Sequence, residues 1–303
     1  MKALVMGFGS IGMRHARILA ELGCDVAVLS RRAVDHPKRF SELDKALSSH
    51  APDYVVIANA THEHHDALER LAAAGYRGNV LVEKPLFDHV RPVPSNSFQR
   101  VSVAYNLRFH PLIRRVQELL DQRRIISAQA YAGQYLPEWR PSTNYRMSYS
   151  ADEQRGGGVL RDLSHELDYI TWMMGGWTGV SARGGHFSSL EISSDDVFAL
   201  LMSTQRCPIV SVQMNYLDRK GRREVVVNCD DTTIAVDLVR SEIQVGRHVE
   251  TIEVPRDASY RLMHQALLAG DFGTACSLPD AIDTMSLIEA ATVSAQQNLW
   301  VTR

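Results

Sequence analysis

Short apolar runs and amphipathic stretches alternate along the first hundred residues. Residues 2–6 read as a short buried strand, and residues 13–22 as a helix with apolar positions at Ile18, Leu19 and Leu22. Residues 25–30 form a second apolar run, and residues 53–58 and 79–82 two more, with a helical stretch over 67–74. Strands that alternate with helices in this way predict βαβ units and a parallel sheet. Further along, residues 129–135, 196–203, 209–216, 224–228 and 233–238 read as strands. Pro279, followed by Ile282, Met285, Ile288, Ala291, Thr292 and Ala295, marks an amphipathic helix near the end of the sequence.

The first strand runs into Gly7-Phe8-Gly9-Ser10-Ile11-Gly12, a G-x-G-x-x-G that opens the first helix. Each glycine has a physical task in a dinucleotide site. Gly7 permits the tight turn, Gly9 lets the backbone approach a pyrophosphate, and Gly12 lets helix pack on strand. The diphosphate then meets the positive end of the helix. A strand before the motif and a helix after it are the context it requires. The second strand ends in Ser30-Arg31-Arg32, where an acid would be expected to hold a ribose 2′-hydroxyl. An arginine there pairs with a 2′-phosphate instead, so NADP is favoured over NAD.

The third run ends in Asn59-Ala60-Thr61-His62-Glu63-His64-His65. Its histidines lack the helical spacing of a zinc motif, and the cluster lies at the ligand-facing end of a strand. Helix capping and cofactor contact are expected, and no metal. The fourth run ends in Glu83-Lys84-Pro85, which places a lysine at the carboxyl edge of the sheet.

Composition narrows the classes. The 303 residues suggest two domains, and 45 % hydrophobic with 22 % charged residues is globular composition. With 33 basic against 35 acidic side chains the net charge is −2, without the basic excess of a nucleic-acid protein. No apolar run reaches the roughly 18 residues of a membrane span, and no signal peptide is recognised. Four scattered cysteines fit a reduced, cytoplasmic setting.

The chain resembles the Gfo/Idh/MocA oxidoreductases, the family of glucose-fructose oxidoreductase and inositol dehydrogenase. The resemblance lies in the glycine motif, Asn59 to His64, Glu83-Lys84-Pro85, Asn106-Leu107-Arg108-Phe109, and the stretch from Gly156 to Asp168. It implies an α/β Rossmann domain with a parallel sheet, residues 1–105. An α+β domain with a mainly antiparallel sheet follows, residues 106–303, its C-terminal helix packing back on the first. It implies reversible hydride transfer between NADP(H) or NAD(H) and a carbinol carbon of a sugar, sugar derivative or cyclitol. By position, Lys84, Asp162 and His165 become the catalytic residues. Gly7, Phe8, Gly9, Ser10, Ile11, Gly12, Ser30, Arg31, Arg32, Asn59, Thr61, His64, Glu83, Lys84 and Asn106 fall at the cofactor. A homodimer or homotetramer through the second-domain sheet is expected.

The sequence departs from the family at two places. His165 lies three residues after Asp162 where the family has four, and Glu166 takes the four-residue position. A one-residue deletion accounts for this, and a single helix would place 162, 165, 166 and 169 on one face. Either His165 or Glu166 is then the acid/base. Residues 86–100 carry Pro92 and Pro94 and are expected to be loop where the family has a helix.

Residues 135–146 mix aromatics and arginines. Trp139, Arg140 and Tyr145, with Arg108 and Glu166, are the candidate substrate contacts, since aromatic faces hold sugars and arginines hold phosphates. The loop is similar to that of family members found with bacterial surface-sugar biosynthesis. The basic run 219–223 is expected to be a solvated hairpin turn. Rival readings are a non-catalytic dinucleotide sensor and a reductase of an imine or conjugated alkene.

Overall fold

The computed structural model describes every residue except Arg140, Pro141 and Ser142. The chain divides into two compact units, Met1–Phe109 with Asp257–Ala281, and His110–Arg256 with Ile282–Arg303.

The first unit opens with β1 (Lys2–Met6), α1 (Ser10–Glu21), β2 (Asp25–Leu29), β3 (Arg39–Phe40) and α2 (Leu43–His50). β4 (Tyr54–Ile57), α3 (His64–Ala73), β5 (Asn79–Val82) and β6 (Arg100–Val103) follow. Residues 86–99 form neither helix nor strand, as Pro92 and Pro94 predict.

The second unit holds α4 (Pro111–Leu119), β7 (Ile125–Gly133), α5 (Val159–Asp162), α6 (His165–Met174) and β8 (Trp177–Gly185). It continues through β9 (Val197–Thr204), β10 (Ile209–Asn215), β11 (Arg222–Cys229), β12 (Thr233–Asp237), β13 (Glu242–Val245) and β14 (His248–Thr251). The chain then returns to the first unit with α7 (Ala258–Ala269) and β15 (Cys276–Ser277), and ends with α8 (Leu278–Gln297) and β16 (Val301–Thr302).

The first sheet has the order β15-β6-β5-β4-β1-β2-β3 and is parallel except for β15, which runs against β6. Its inner strands are buried along nearly their whole length, because helices cover both faces. Ala3, Val5, Val28, Val56 and Leu81 pack in one core with Met263, Leu267 and Ala275 of the returning segment. The strand order reverses at β1, between β4 and β2, and ligands bind at such a switch point beyond the strand ends.

The second sheet has the order β14-β13-β12-β11-β7-β10-β9-β8-β16, antiparallel except for β7 beside β10. Buried and exposed positions alternate along β9, so only one face is covered. Residues 219–223 do not form the expected hairpin turn. β7 lies between β10 and β11, so the segment is a crossover, and Arg222 and Arg223 sit inside β11. No helix among the described residues is long and apolar enough to cross a membrane.

Candidate functional site

The glycine turn stands at the switch point of the first sheet. Gly7 has φ +91°, and its amide donates to Leu29 O at 3.0 Å. A Cβ on Gly7 would lie 2.7 Å from Ala58 O and Asn59 N, so the turn fits against the end of β4 only without a side chain. A Cβ on Gly12 would lie 2.1 Å from Gly7 O, which shows how closely α1 seats on the turn. At Gly9 a Cβ would meet nothing within 4 Å. No side chain caps α1 and no acid lies in its first turn, so its leading amides are left for an anion. Asn59, at the end of β4, has a buried Oδ1 with no hydrogen-bond partner among the described residues, while its Nδ2 donates to Glu63 O at 3.4 Å. These residues fit a dinucleotide: an open glycine, an uncapped helix start and an orphaned acceptor at one strand-end crevice.

Ser30 follows β2, and its hydroxyl donates to Arg32 O at 3.1 Å. Arg31 and Arg32 are exposed, and Phe8 packs edge-on against His36. Thr61 opens a single 3-10 turn. His64 is buried, with its ring nitrogens 3.1 Å from Pro85 O and Leu86 O and 3.3 Å from Asn59 O. It ties two strand ends together, and burial pushes its pKa below the ordinary imidazole range. His65, Asp66 and Glu69 bring three possible metal-ligand atoms together on the outside of α3; His62 and His64 are not part of that group.

The Glu83 carboxylate is buried at the end of β5. Oε1 lies 2.7 Å from His15 Nε2, and Oε2 accepts the Lys84 backbone N–H at 3.2 Å. Lys84 itself is partly buried. Asn106 is buried with Nδ2 donating to Ser259 Oγ at 2.6 Å, and Arg108 is buried with its guanidinium on Asp280 at 2.9 Å.

In the second unit, the glycine run lets two segments approach the start of α5. A Cβ on Gly157 would lie 2.1 Å from Tyr149 O, and one on Gly158, with φ +118°, 2.3 Å from Asp195 Oδ1. Asp195 accepts the Leu160 N–H at 2.9 Å, and desolvation raises its pKa to about 6. The single helical face expected for 162, 165, 166 and 169 is not formed. The chain leaves α5 at Leu163 and begins α6 at His165, so the two parts of the motif lie on separate helices. The break falls where the sequence is one residue short of the family spacing.

Asp162 is buried and accepts hydrogen bonds from Tyr149 at 2.5 Å and Tyr216 at 2.6 Å. His165 is buried at the first position of α6. Glu166, beside it, is fully buried and paired with Arg223, Nε to Oε1 at 2.7 Å and a second guanidinium nitrogen to Oε2 at 3.3 Å. Tyr169 donates to the same carboxylate at 3.5 Å.

Trp139 stacks edge-on against Tyr216 at 5.2 Å, and Tyr145 lies under the Arg146 guanidinium. Trp139 and Tyr145 both line a pocket with Leu136, Thr143, Ser148, Tyr149 and Ser150. The structure thus joins the aromatic loop to Asp162 through Tyr149 and Tyr216. Arg140 lies outside the described residues. Sequence reasoning missed Tyr149, Tyr216, Asp195 and Arg223, whose partners lie 13 to 57 positions away. The glycine run was the one local sign that other segments crowd this helix.

A dinucleotide-type sheet with its glycine turn, followed by a broad, mainly antiparallel sheet that carries the Asp162–Glu166 segment, defines a two-domain dehydrogenase architecture. The chain belongs to the GFO/IDH/MocA oxidoreductase family: the model of its NAD-binding Rossmann fold matches residues 1–94, and that of its C-terminal domain residues 113–235. Inositol 2-dehydrogenase of Rhizobium meliloti (strain 1021) is 26 % identical over 187 residues, 56 % of this chain and 54 % of its own length. The chain therefore spans about half of that curated relative. Among solved structures, GenD2 from gentamicin A biosynthesis in complex with NAD aligns with a TM-score of 0.81 and 21 % identity, covering 100 % of this chain and 96 % of its own. Levoglucosan dehydrogenase in complex with NADH aligns with a TM-score of 0.84 and 16 % identity, covering 100 % and 98 %. At these identities the likeness is one of fold.

Proposed function

We propose that the protein transfers a hydride between NADP(H) and a hydroxyl- or keto-bearing carbon of a sugar, sugar derivative or cyclitol. The observation that carries this reading is the Gly7–Gly12 turn, with its open Gly9 at the uncapped start of α1. The family supports the reaction class, and the names of the relatives, inositol and levoglucosan dehydrogenases, support the substrate class.

The dinucleotide supplies the hydride acceptor or donor. The amides at the start of α1 would hold its diphosphate, and Asn59 Oδ1 would accept from a hydroxyl or amide N–H elsewhere on the dinucleotide. Lys84 polarises the substrate oxygen and stabilises negative charge as it develops there. His165 exchanges the proton of that oxygen, because an imidazole titrates near neutral pH. Glu166 is already engaged by Arg223, which supports His165 as the acid/base. Asp162, its carboxyl held in place by two phenols, orients the imidazole.

The preference for NADP(H) rests on Arg31 and Arg32 and the missing acid after β2; the two solved structures reported above hold NAD or NADH. The aromatic pocket around Trp139 and Tyr145 supports a ring-bearing substrate, and the resemblance of that loop supports a surface-sugar precursor. Leu201 and Ile209 share the open face of the second sheet and support assembly there as a homodimer or homotetramer. Free cysteines support a reduced, cytoplasmic setting.

The test is turnover of a sugar, uronate and cyclitol panel, followed through the absorbance of reduced nicotinamide. Oxidation or reduction of at least one compound is expected. Tight dinucleotide binding without turnover of any of them would support the sensor reading instead.

A further inference from the structure

Behind Glu83 lies a buried chain of polar side chains that the reaction above does not use. Tyr54 Oη is 3.2 Å from His264 Nδ1, His264 Nε2 is 2.7 Å from His15 Nδ1, and His15 Nε2 is 2.7 Å from Glu83 Oε1. Tyr54, His264 and His15 are at most 2 % exposed. They come from β4, α7 and α1, and the chain they form runs from the start of β4 to Glu83 just beyond β5. Away from water, each N–H and O–H in this chain needs an acceptor.

Counting donors fixes the direction. A carboxylate only accepts, so His15 donates from Nε2, and with a single ring hydrogen its Nδ1 accepts. His264 then donates from Nε2, and its Nδ1 accepts the Tyr54 hydroxyl. In that arrangement each imidazole carries one hydrogen, on Nε2. Burial, first of all, holds His264 well below the ordinary imidazole range, in line with a single hydrogen on that ring. A doubly protonated His15 would turn the His264 tautomer round. The Tyr54 hydroxyl would then lose its one hydrogen-bond acceptor among the described residues. The far end of the chain is equally specific. Glu83 Oε2 accepts the backbone N–H of Lys84, so the chain terminates on the peptide that carries the lysine.

We propose that His15 and His264 are positioning residues for Lys84: with Tyr54 they form a one-way hydrogen-bond relay that orients the Glu83 carboxylate, which in turn fixes the Lys84 peptide. This rests on the assignment of Lys84 to the reacting oxygen. Each bond in such a chain polarises the next, so loosening one link weakens the hold at the end. The relay also gives the returning segment a catalytic consequence, since α7 supplies His264.

The test uses His15→Gln, His264→Gln and Tyr54→Phe in the full chain. Kcat should fall on the order of 10- to 10²-fold in the two histidine variants, the scale set by a small misplacement of a reacting group. KM and dinucleotide affinity should stay nearly unchanged. Amide hydrogen exchange at Lys84 should quicken, and this readout needs no substrate. Failure of every sugar to turn over would count against the proposed function, while Lys84 exchange would still decide the relay. Ring ¹⁵N spectra of the unmodified protein should show both histidines protonated at Nε2 alone. Unchanged kcat and unchanged Lys84 exchange in His15→Gln would overturn the proposal, as would a doubly protonated His15. If the histidine variants do not fold, Tyr54→Phe decides: unaltered Lys84 exchange and unaltered His15 ring signals would overturn it.

Discussion

At the scale of single residues, the question is which of two neighbours moves the proton. His165 and Glu166 are adjacent in sequence, but their surroundings differ in kind. The Glu166 carboxylate is fully buried, receives two guanidinium bonds from Arg223, and has the Tyr169 hydroxyl beside it. Trading protons with a substrate would break that pair at every turnover. Glu166→Ala should therefore act on stability, by up to about 3 kcal/mol in urea unfolding, because it strands a charged partner. The figure is an upper one, since the Arg223 side chain is 28 % exposed and can be hydrated. His165→Ala should fold normally and lose roughly 10²–10⁴-fold in turnover, with dinucleotide affinity preserved. A dead Glu166→Gln beside a nearly normal His165→Ala would exchange the two roles.

At the scale of elements, the two glycines of one turn should respond differently to the same added methyl. In Gly12→Ala the new Cβ falls on Gly7 O, so α1 must shift, and both stability and dinucleotide affinity should drop; overpacking of this kind costs about 1–3 kcal/mol. In Gly9→Ala the Cβ meets no protein atom, so the melting temperature should hold while dinucleotide affinity falls. Equal affinity in Gly9→Ala and the unmodified protein would remove the turn from the cofactor site. The start of α5 adds a pH effect. Folded Asp195 titrates at about 6 against an ordinary 3.8, so the folded state binds the extra proton between about pH 4 and 6. Stability from this group is therefore lost as pH rises through that window. His110, lowered to about 4 by burial and the Arg223 charge, pulls the other way, losing stability as pH falls from 6.5. Only the difference between Asp195→Asn and the unmodified protein isolates Asp195. The variant should gain relative stability from pH 4 to 6 and then level off; a flat difference would place the carboxyl in an ordinary setting. These elements also show what was legible beforehand. β1, β2 and β4 were readable because burial on both faces leaves unbroken apolar runs, and α1 because its apolar positions recur at helical spacing. The break at Leu163 and Ser164 was not, because helical periodicity continues across it. Nor was the crossover at 219–223, since which strand lies next to β10 is decided by sheet partners that no local pattern encodes. His15 looked like any residue on a helix until α7 came back to meet it.

At the scale of the whole molecule, cofactor choice can be read from global unfolding. A ligand that binds only the folded state stabilises it by an amount set by its concentration over Kd, about 2.7 kcal/mol at a hundredfold excess over Kd. The dinucleotide should therefore raise the melting temperature, and the better-bound form should raise it more at equal concentration. Arg31 and Arg32 are exposed after β2. A 2′-phosphate placed there would form charge-assisted bonds that a 2′-hydroxyl does not. NADPH should therefore give the larger shift. In a variant with both arginines changed to Ala, the NADPH shift should shrink to that of NADH, because the loss of charge-assisted hydrogen bonds, about 1–3 kcal/mol in all, falls on the phosphorylated cofactor alone. Added salt should narrow the gap in the unmodified protein, since these side chains are solvent-exposed and screened. Equal shifts for the two cofactors in low salt would return the protein to NAD(H), the form held by both solved structures named above, and make Arg31 and Arg32 ordinary surface charges.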